Sequence, residues 1–454
     1  MRFLISIIFF ISLYLWGLLL KKNFLKNKNP IFNSKSFLIS FGLVTFQLWS
    51  SIIILFNNKS SFLAGGILFI LIPFILNKND LINNLQLKNN NINFIKKLKE
   101  ISYIKKIEYL ILILYFFCCL IPITSADSLD YHVGSAYLYL TNYTYDPTWY
   151  TSLLALNGEK SIATIIAIKA NPSIQLIQFI GLINIYHSLN NITEFINIKN
   201  KDFHKSKLFQ MLKLSIISSP ILLFLTITAK PQLFPISIII LTFTIIISEE
   251  DYEIKFNSNN FILVSILLTS ACLNKLTLFL PSLIIYLIYI YKFKIIRETK
   301  IIFTYKNLLI KILISLIIFS LISIPLLIHR YTYFETNLLQ GILFPLNNFG
   351  DYKNFISWIR NYKESPLIFP FFTIFPYSTS NLTTIIGIAP ILIIWTSLRY
   401  QKSFFLLKTY IGLNFLSLFI PNSTRFFYPY FLIISFFLIT DILNSNLKES
   451  KKYN

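Results

Sequence analysis

The sequence predicts an all-α, polytopic integral membrane protein, and two observations carry that prediction. Of its 454 residues, 55% are hydrophobic and only 13% are charged, a balance that one soluble core of this length does not accommodate. The apolar residues also gather into runs of roughly 15 to 22, about the length that crosses bilayer hydrocarbon as a helix.

Taken in order, the runs fall at 3–20, 37–56, 62–76, 109–124, 173–189, 211–229, 232–248, 261–273, 276–291, 308–328, 379–397, 403–420 and 426–445, bounded by Lys, Asn and Pro. About 13 transmembrane helices are therefore expected. The first run follows only Met1 and Arg2 and shows no small-residue cleavage site, so it reads as a retained span. The pairs meeting at "AKPQ" and "LNKLT" read as two spans each or as re-entrant or broken helices. The stretch "LLALNGEKSIATIIAIKANPSIQ" (153–175) has too many polar interruptions for a span. It is expected as a helix lying at the outer surface and packed on the bundle. The Asn-rich stretch 81–100 alternates apolar with polar and basic residues, as a segment lying along a membrane surface does.

Three parts follow: N-terminal hairpins with a basic linker over 1–108, a larger membrane unit over 109–445 with two long outer loops at 125–172 and 329–378, and a basic tail over 446–454. With the first terminus outside, most of the 41 Lys and Arg fall in the inner segments, as the positive-inside rule requires. That bias explains the net charge of +22 without nucleic acid as a partner, because the basic residues are spread over separate loops with no recognition motif. The expected partner surface is the bilayer; abundant Ile, Asn, Lys and Phe with few Gly or Ala look like an AT-rich bacterial genome, so a bacterial inner membrane is expected, with the outer loops and any site on them facing the periplasm. Cys118, Cys119 and Cys272 all sit in apolar runs and form neither a disulfide framework nor a zinc spacing.

The candidate site is the set of polar residues at the outer ends of the spans: Asp127, Asp130, His132, Lys230, Lys275, His329, Arg330 and Arg425. A charge beside the hydrocarbon is costly unless it is paired or functional. For a single Lys the plain reading is a side chain snorkelling to the interface; carboxylates reach less far. Asp127 and Asp130, three apart at a helix start, are expected to share one face, with an N-cap role for Asp127 as the structural alternative. Asp127 is the better base, since partial burial raises a carboxylate's proton affinity. Asp130 would orient an acceptor or share the proton. His132 reads as a partner of Asp127, as a ligand in a carboxylate-histidine metal site, or as an interface residue. No fourth ligand is visible, so no metal or other cofactor is assigned, and a divalent ion stays open. Arg425 reads as a phosphate clamp or as an anchor of the last span. The aromatic run "YLYLTNYTYDPTWY" (137–150) suits a sugar platform or an interfacial belt.

"ADSLDYHVGSAYLYL", an Asp followed by a Tyr-His pair (Tyr131, His132) in the first large outer loop, resembles the acidic loop motif of GT-C fold glycosyltransferases. "SSPILLFLTITAKPQL" resembles that family's span ending in a Lys-Pro-acid turn, with Gln232 where many relatives carry Asp. "LTSACLNKLTLFLPSLI", "PLLIHRYTYFETNLLQGILFPL" and "STRFFYPYFLI" are similar, in order, to the family's segment ending in a Lys, the Arg opening its second outer loop and its late Arg-aromatic-Pro element.

The resemblance implies a polyprenyl-phosphate-linked sugar as donor and a lipid, glycan or protein as acceptor. It implies inverting transfer by direct attack, with Asp127 and Asp130 at the reacting centre. Arg330, Arg425, Lys230 and Lys275 would hold the donor phosphate, supported by Tyr131, His132 and His329. The residues alone also fit that chemistry, which needs a base for the hydroxyl proton and cations for the departing phosphate. Two rival classes are an inner-membrane polysaccharide polymerase or ligase and a polytopic transporter; a transporter would carry its ionisable residues near mid-span.

Overall fold

The computed structural model describes residues 1–24, 30–56, 58–77, 102–141, 156–197, 207–251, 258–298, 305–334, 371–400 and 423–450, with 357, 408 and 412 as single positions. The expected span 403–420, apart from its positions 408 and 412, lies outside these residues, as do the surface stretch 81–100, positions 142–150 of the aromatic run and most of the second outer loop.

Among the described residues every regular element is helical, the backbone solution that hydrocarbon demands because it offers no hydrogen-bond partner. Six helices among the described residues are long and apolar enough to cross a membrane: Arg2–Asn23, Lys35–Phe56, Lys59–Leu76, Leu208–Ile227, Leu309–Thr332 and Leu382–Arg399. Three shorter apolar helices, Leu233–Ser248, Asn260–Asn274 and Leu276–Tyr291, accompany them.

The first three helices, α1 (Arg2–Phe24), α2 (Lys35–Ile53) and α3 (Lys59–Leu76), pack on one another. Ser34 starts α2 by accepting a hydrogen bond from Phe37 N at 3.2 Å, and Asn58 starts α3 by accepting one from Ser61 N at 2.6 Å, each satisfying a free N–H of a first turn. After α4 (Tyr103–Cys118) the chain makes a π-helical turn over Ser128–Val133 and runs on into α5 (Gly134–Thr141).

Next comes α6 (Asn157–Ala167), within the stretch 153–175 expected as a helix packed on the bundle. Residues 157–165 are all buried, with α2, α3 and α5 packed around the helix. The polar residues that disqualify it as a span are the ones that tie it in. Ser161 Oγ donates to Asn157 O at 2.8 Å, and Thr164 Oγ1 donates to Ser50 Oγ of α2 at 3.1 Å.

Helix α7 (Ser173–Asn197) is the spine against which the first broken pair is built. α8 (Lys207–Ile217) and α9 (Pro220–Ile227) precede the break and α10 (Leu233–Asp251) follows it. A break leaves carbonyls free on one side and N–H groups free on the other. Gln175 Nε2 donates to Ile227 O at 2.7 Å and Gln178 Oε1 accepts from Phe234 N at 3.0 Å, so two side chains of α7 satisfy both ends. Three residues further, Gly181 lets the backbones meet: a Cβ there would lie 2.9 Å from Phe234 Cα. One step on, Asn184 donates to Ser40 Oγ at 2.7 Å and to Ser237 Oγ at 3.1 Å, joining α2, α7 and α10.

The second break separates α11 (Ser258–Asn274) from α12 (Phe279–Glu298) by a 3₁₀ turn at Leu276–Leu278. Asn274 Nδ2 donates to Gln47 Oε1 of α2 at 2.6 Å, so a helix of the first segment steadies this turn. Helices α13 (Tyr305–Phe334), α14 (Phe371–Ile374), α15 (Ala389–Arg399) and α16 (Thr424–Ser450) complete the described chain.

Candidate active site

The two breaks, the π-helical turn, the start of α6 and the first turn of α16 converge. Gly158 shows why they can. A Cβ at that position would lie 2.5 Å from Pro231 Cβ and 3.3 Å from Asn274 O, so the start of α6 sits directly against both turns, the one carrying Lys230 and the one carrying Lys275.

At the centre, Lys230 Nζ donates to Asp127 Oδ2 at 2.7 Å and Arg425 Nη1 donates to the same oxygen at 3.1 Å. Neither bond uses Oδ1, and the Asp127 side chain remains 52% exposed, open to a ligand. Partial burial pushes its carboxyl up, but the hydrogen bond and charge of Lys230 and those of Arg425 outweigh it and hold the group at about 2. The raised proton affinity expected for Asp127 is thus reversed in this state of the site. Asp127 makes no capping bond, so the N-cap alternative is not how its side chain is used.

Asp130 is exposed and takes part in no ion pair among the described residues, against the shared face expected for the two carboxylates. The wider i→i+5 turn of Ser128–Val133 rotates the third position away from the first.

The cations are held in turn. Lys275 Nζ donates to Gln232 Oε1 at 3.0 Å, and Gln232 Nε2 donates to Arg425 O at 2.9 Å. Gln232 therefore joins the second break to α16. The Lys230 ammonium stands 5.0 Å from the Phe224 ring and the Arg425 guanidinium 5.1 Å from the Phe426 ring, within cation–π range. Burial, then the charges of Arg425 and Lys230, pull Lys275 down to about 7.

His132 is buried beside this group and pairs with a residue that the reading of the sequence passes over. Its Nδ1 lies 2.7 Å from Glu159 Oε1, while Glu159 Oε2 accepts from Leu156 N at 2.8 Å. Burial pulls the imidazole down to about 4 against the opposing hydrogen bond and charge of Glu159, so it is neutral at pH 7. Because a carboxylate only accepts, the imidazole proton sits on Nδ1, and Nε2 is a buried acceptor with no hydrogen-bond partner. The Tyr131 ring lies 3.8 Å from that of His132, and burial raises the Tyr131 hydroxyl far above its usual range.

Lys160, next in the chain to Glu159, is fully buried. Burial, reinforced by the charge of Arg330, pulls it down to about 7. Arg330 and His329 are buried near the C-terminal end of α13, where the His329 ring meets Tyr139 edge-on at 5.7 Å. The structure therefore brings Lys230, Lys275 and Arg425 to Asp127 and gathers Arg330 and His329 around Lys160. The sequence signal for Glu159 and Lys160 was weak: two adjacent opposite charges in a stretch already interrupted by polar residues.

In chemical terms, the arrangement offers one exposed carboxylate oxygen, a fork of cations beside it and a neutral imidazole held by a carboxylate. Among the described residues no group of three or more His, Cys, Asp or Glu is placed to hold a metal ion.

No curated protein and no solved structure matches this chain. A family model does, over residues 95–453, and that span takes in every residue of the candidate site: the chain belongs to the family of the DUF1420 N-terminal domain.

Proposed function

We propose that the protein is a membrane glycosyltransferase with a GT-C-like arrangement of about 13 spans, working at the outer face of a bacterial inner membrane. It would move a sugar from a polyprenyl-phosphate donor to a hydroxyl of a lipid, glycan or protein. The observation that carries the reading is the half-exposed Asp127 carboxylate gripped on one oxygen by Lys230 and Arg425.

In the proposed step, the donor phosphate enters among Lys230, Arg425 and Lys275. Charge shared with the phosphate is charge withdrawn from Asp127, whose proton affinity then rises. The acceptor hydroxyl attacks the anomeric carbon as its proton passes to Asp127, the bond from that carbon to the phosphate oxygen breaks, and the polyprenyl phosphate leaves with the electron pair. The cations stabilise the charge that develops on the leaving group, with Arg425 suited to a two-pronged grip and the lysines acting as point charges.

Membranes carrying the protein, supplied with a panel of radiolabelled polyprenyl-phosphate sugars, should transfer label to an endogenous acceptor. Membranes carrying Arg425→Ala at equal abundance should transfer far less. Transfer from no donor in the panel, or equal transfer by both membranes, would overturn the reading.

A further inference from the structure

The proposed transfer makes no use of Lys160. Its side chain is fully buried and its ammonium has no hydrogen-bond partner, an expensive state for a cation unless something else completes it. Both oxygens of the neighbouring Glu159 are engaged, one by Leu156 N and one by His132. The other charge acting on Lys160 is Arg330, which repels it.

The packing brings the two turns that carry these cations into one neighbourhood. Leu156 and Leu326 are buried in one cluster with Leu273. Lys160 lies one turn beyond Leu156, its N–H bonded to Leu156 O, and Arg330 lies one turn beyond Leu326 on α13. Each cation therefore lies one turn from a leucine of the same buried cluster, near enough for the guanidinium charge to act on the ammonium.

We propose that Lys160 and Arg330 form a second oxyanion subsite, set apart from the Asp127 cluster by the Glu159–His132 pair, which takes a phosphoryl group brought in with the substrate. An oxyanion there accepts from both cations, removes their repulsion and supplies the missing partner of Lys160. The proposal rests on the reading of the protein as a user of lipid-phosphate substrates. The group belongs either to the carrier lipid or to a separate phosphate compound.

Binding to the purified full chain in detergent separates the cases, with polyprenyl monophosphate, polyprenyl diphosphate and inorganic phosphate as probes. A wild-type preference of about tenfold or more for the diphosphate over the monophosphate assigns the subsite to the carrier. Inorganic phosphate binding to protein already saturated with monophosphate assigns it to a separate compound. Either gain should vanish in Lys160→Met while monophosphate binding is unchanged, which also shows that the variant is folded. Should that variant fail to insert, Arg330→Gln is read for loss of the same gain. Neither gain in the wild type, or a gain that survives the substitution, overturns the subsite and leaves the glycosyltransferase reading standing. No binding even of the monophosphate by the wild type overturns both.

Discussion

Lys230 Nζ stands 2.7 Å from Asp127 Oδ2, and the two residues are 103 positions apart in the chain. One sits at a break held by two glutamines of α7, the other before a π-helical turn. A contact between two such irregular points places Asp127 as part of a built cluster and not as the cap of a helix.

Asp127→Asn should separate these roles. Asparagine keeps the size and the cap capacity but cannot take a proton, and loss of a general base costs about 10²- to 10⁴-fold in rate. Membrane abundance should be near that of the parent while transfer in the labelled-donor assay is nearly lost; Asp130→Asn, outside the cluster, should be mild. Parent-like turnover by Asp127→Asn would move the base elsewhere, with His132 Nε2 next in position.

The same carboxylate predicts an acid limit. Its value falls from 3.8 to about 2 on folding, so its pairing is fully present above 3.8 and is lost as pH drops through the interval towards 2. The difference in thermal unfolding temperature between parent and Asp127→Asn should shrink as pH falls below about 4, where Lys275 is already fully charged. Because the group is half exposed, the difference should be small and should fall further in high salt.

Glu159→Gln tests the hub. The substitution keeps an acceptor for Leu156 N but removes the charge that fixes the His132 tautomer. Transfer should drop about tenfold or more, as is common when an orienting partner is lost, with its pH profile altered. A change in expression alone, with an unaltered profile in the surviving protein, would make Glu159 purely structural.

A second buried pair lies away from this site. Glu108 and Lys213 meet at 2.9 Å with almost no exposure, and Tyr186 donates to the same carboxylate. Lys213→Met leaves a buried carboxylate without its cation and should cost about 3–5 kcal/mol, whereas the double variant with Glu108→Leu should recover much of that. Thermal unfolding in detergent reads both.

Topology is accessible through two exposed tyrosines. Tyr137 is 48% exposed and Tyr103 is 77% exposed. In cells, Tyr137→Cys should react with an impermeant thiol reagent from the periplasmic side and Tyr103→Cys should not. The reverse pattern would turn the proposed site to the cytoplasm.

What could be read from the sequence divides along a physical line. Apolar run length located α1, α2, α3, α7 and α13, because hydrocarbon thickness acts on each helix separately. The positions of Lys230 and Lys275 were legible as breaks, and those of Asp127 and Arg425 as charges at span ends. Glu159 and Lys160 were not recovered, because adjacent opposite charges in a helix lower its average hydropathy and so resemble a surface segment; their burial depends on Ser50, Pro231 and Leu326 from three distant segments. The π-helical turn that parts Asp127 from Asp130 leaves no periodic trace in six residues.

The order of the chain gives the cluster a history. Asp127 enters the membrane system first, Lys230 follows, and Arg425 arrives 298 residues after the aspartate. During synthesis the carboxylate and the broken pair must wait, partly paired, for the last helix. The docking of α16, which brings Arg425 to Asp127 and its backbone carbonyl to Gln232, is then the event that closes the site. A nascent chain halted before that helix would hold an unfinished charge cluster at the membrane edge, a state that quality-control proteases could distinguish from the completed protein.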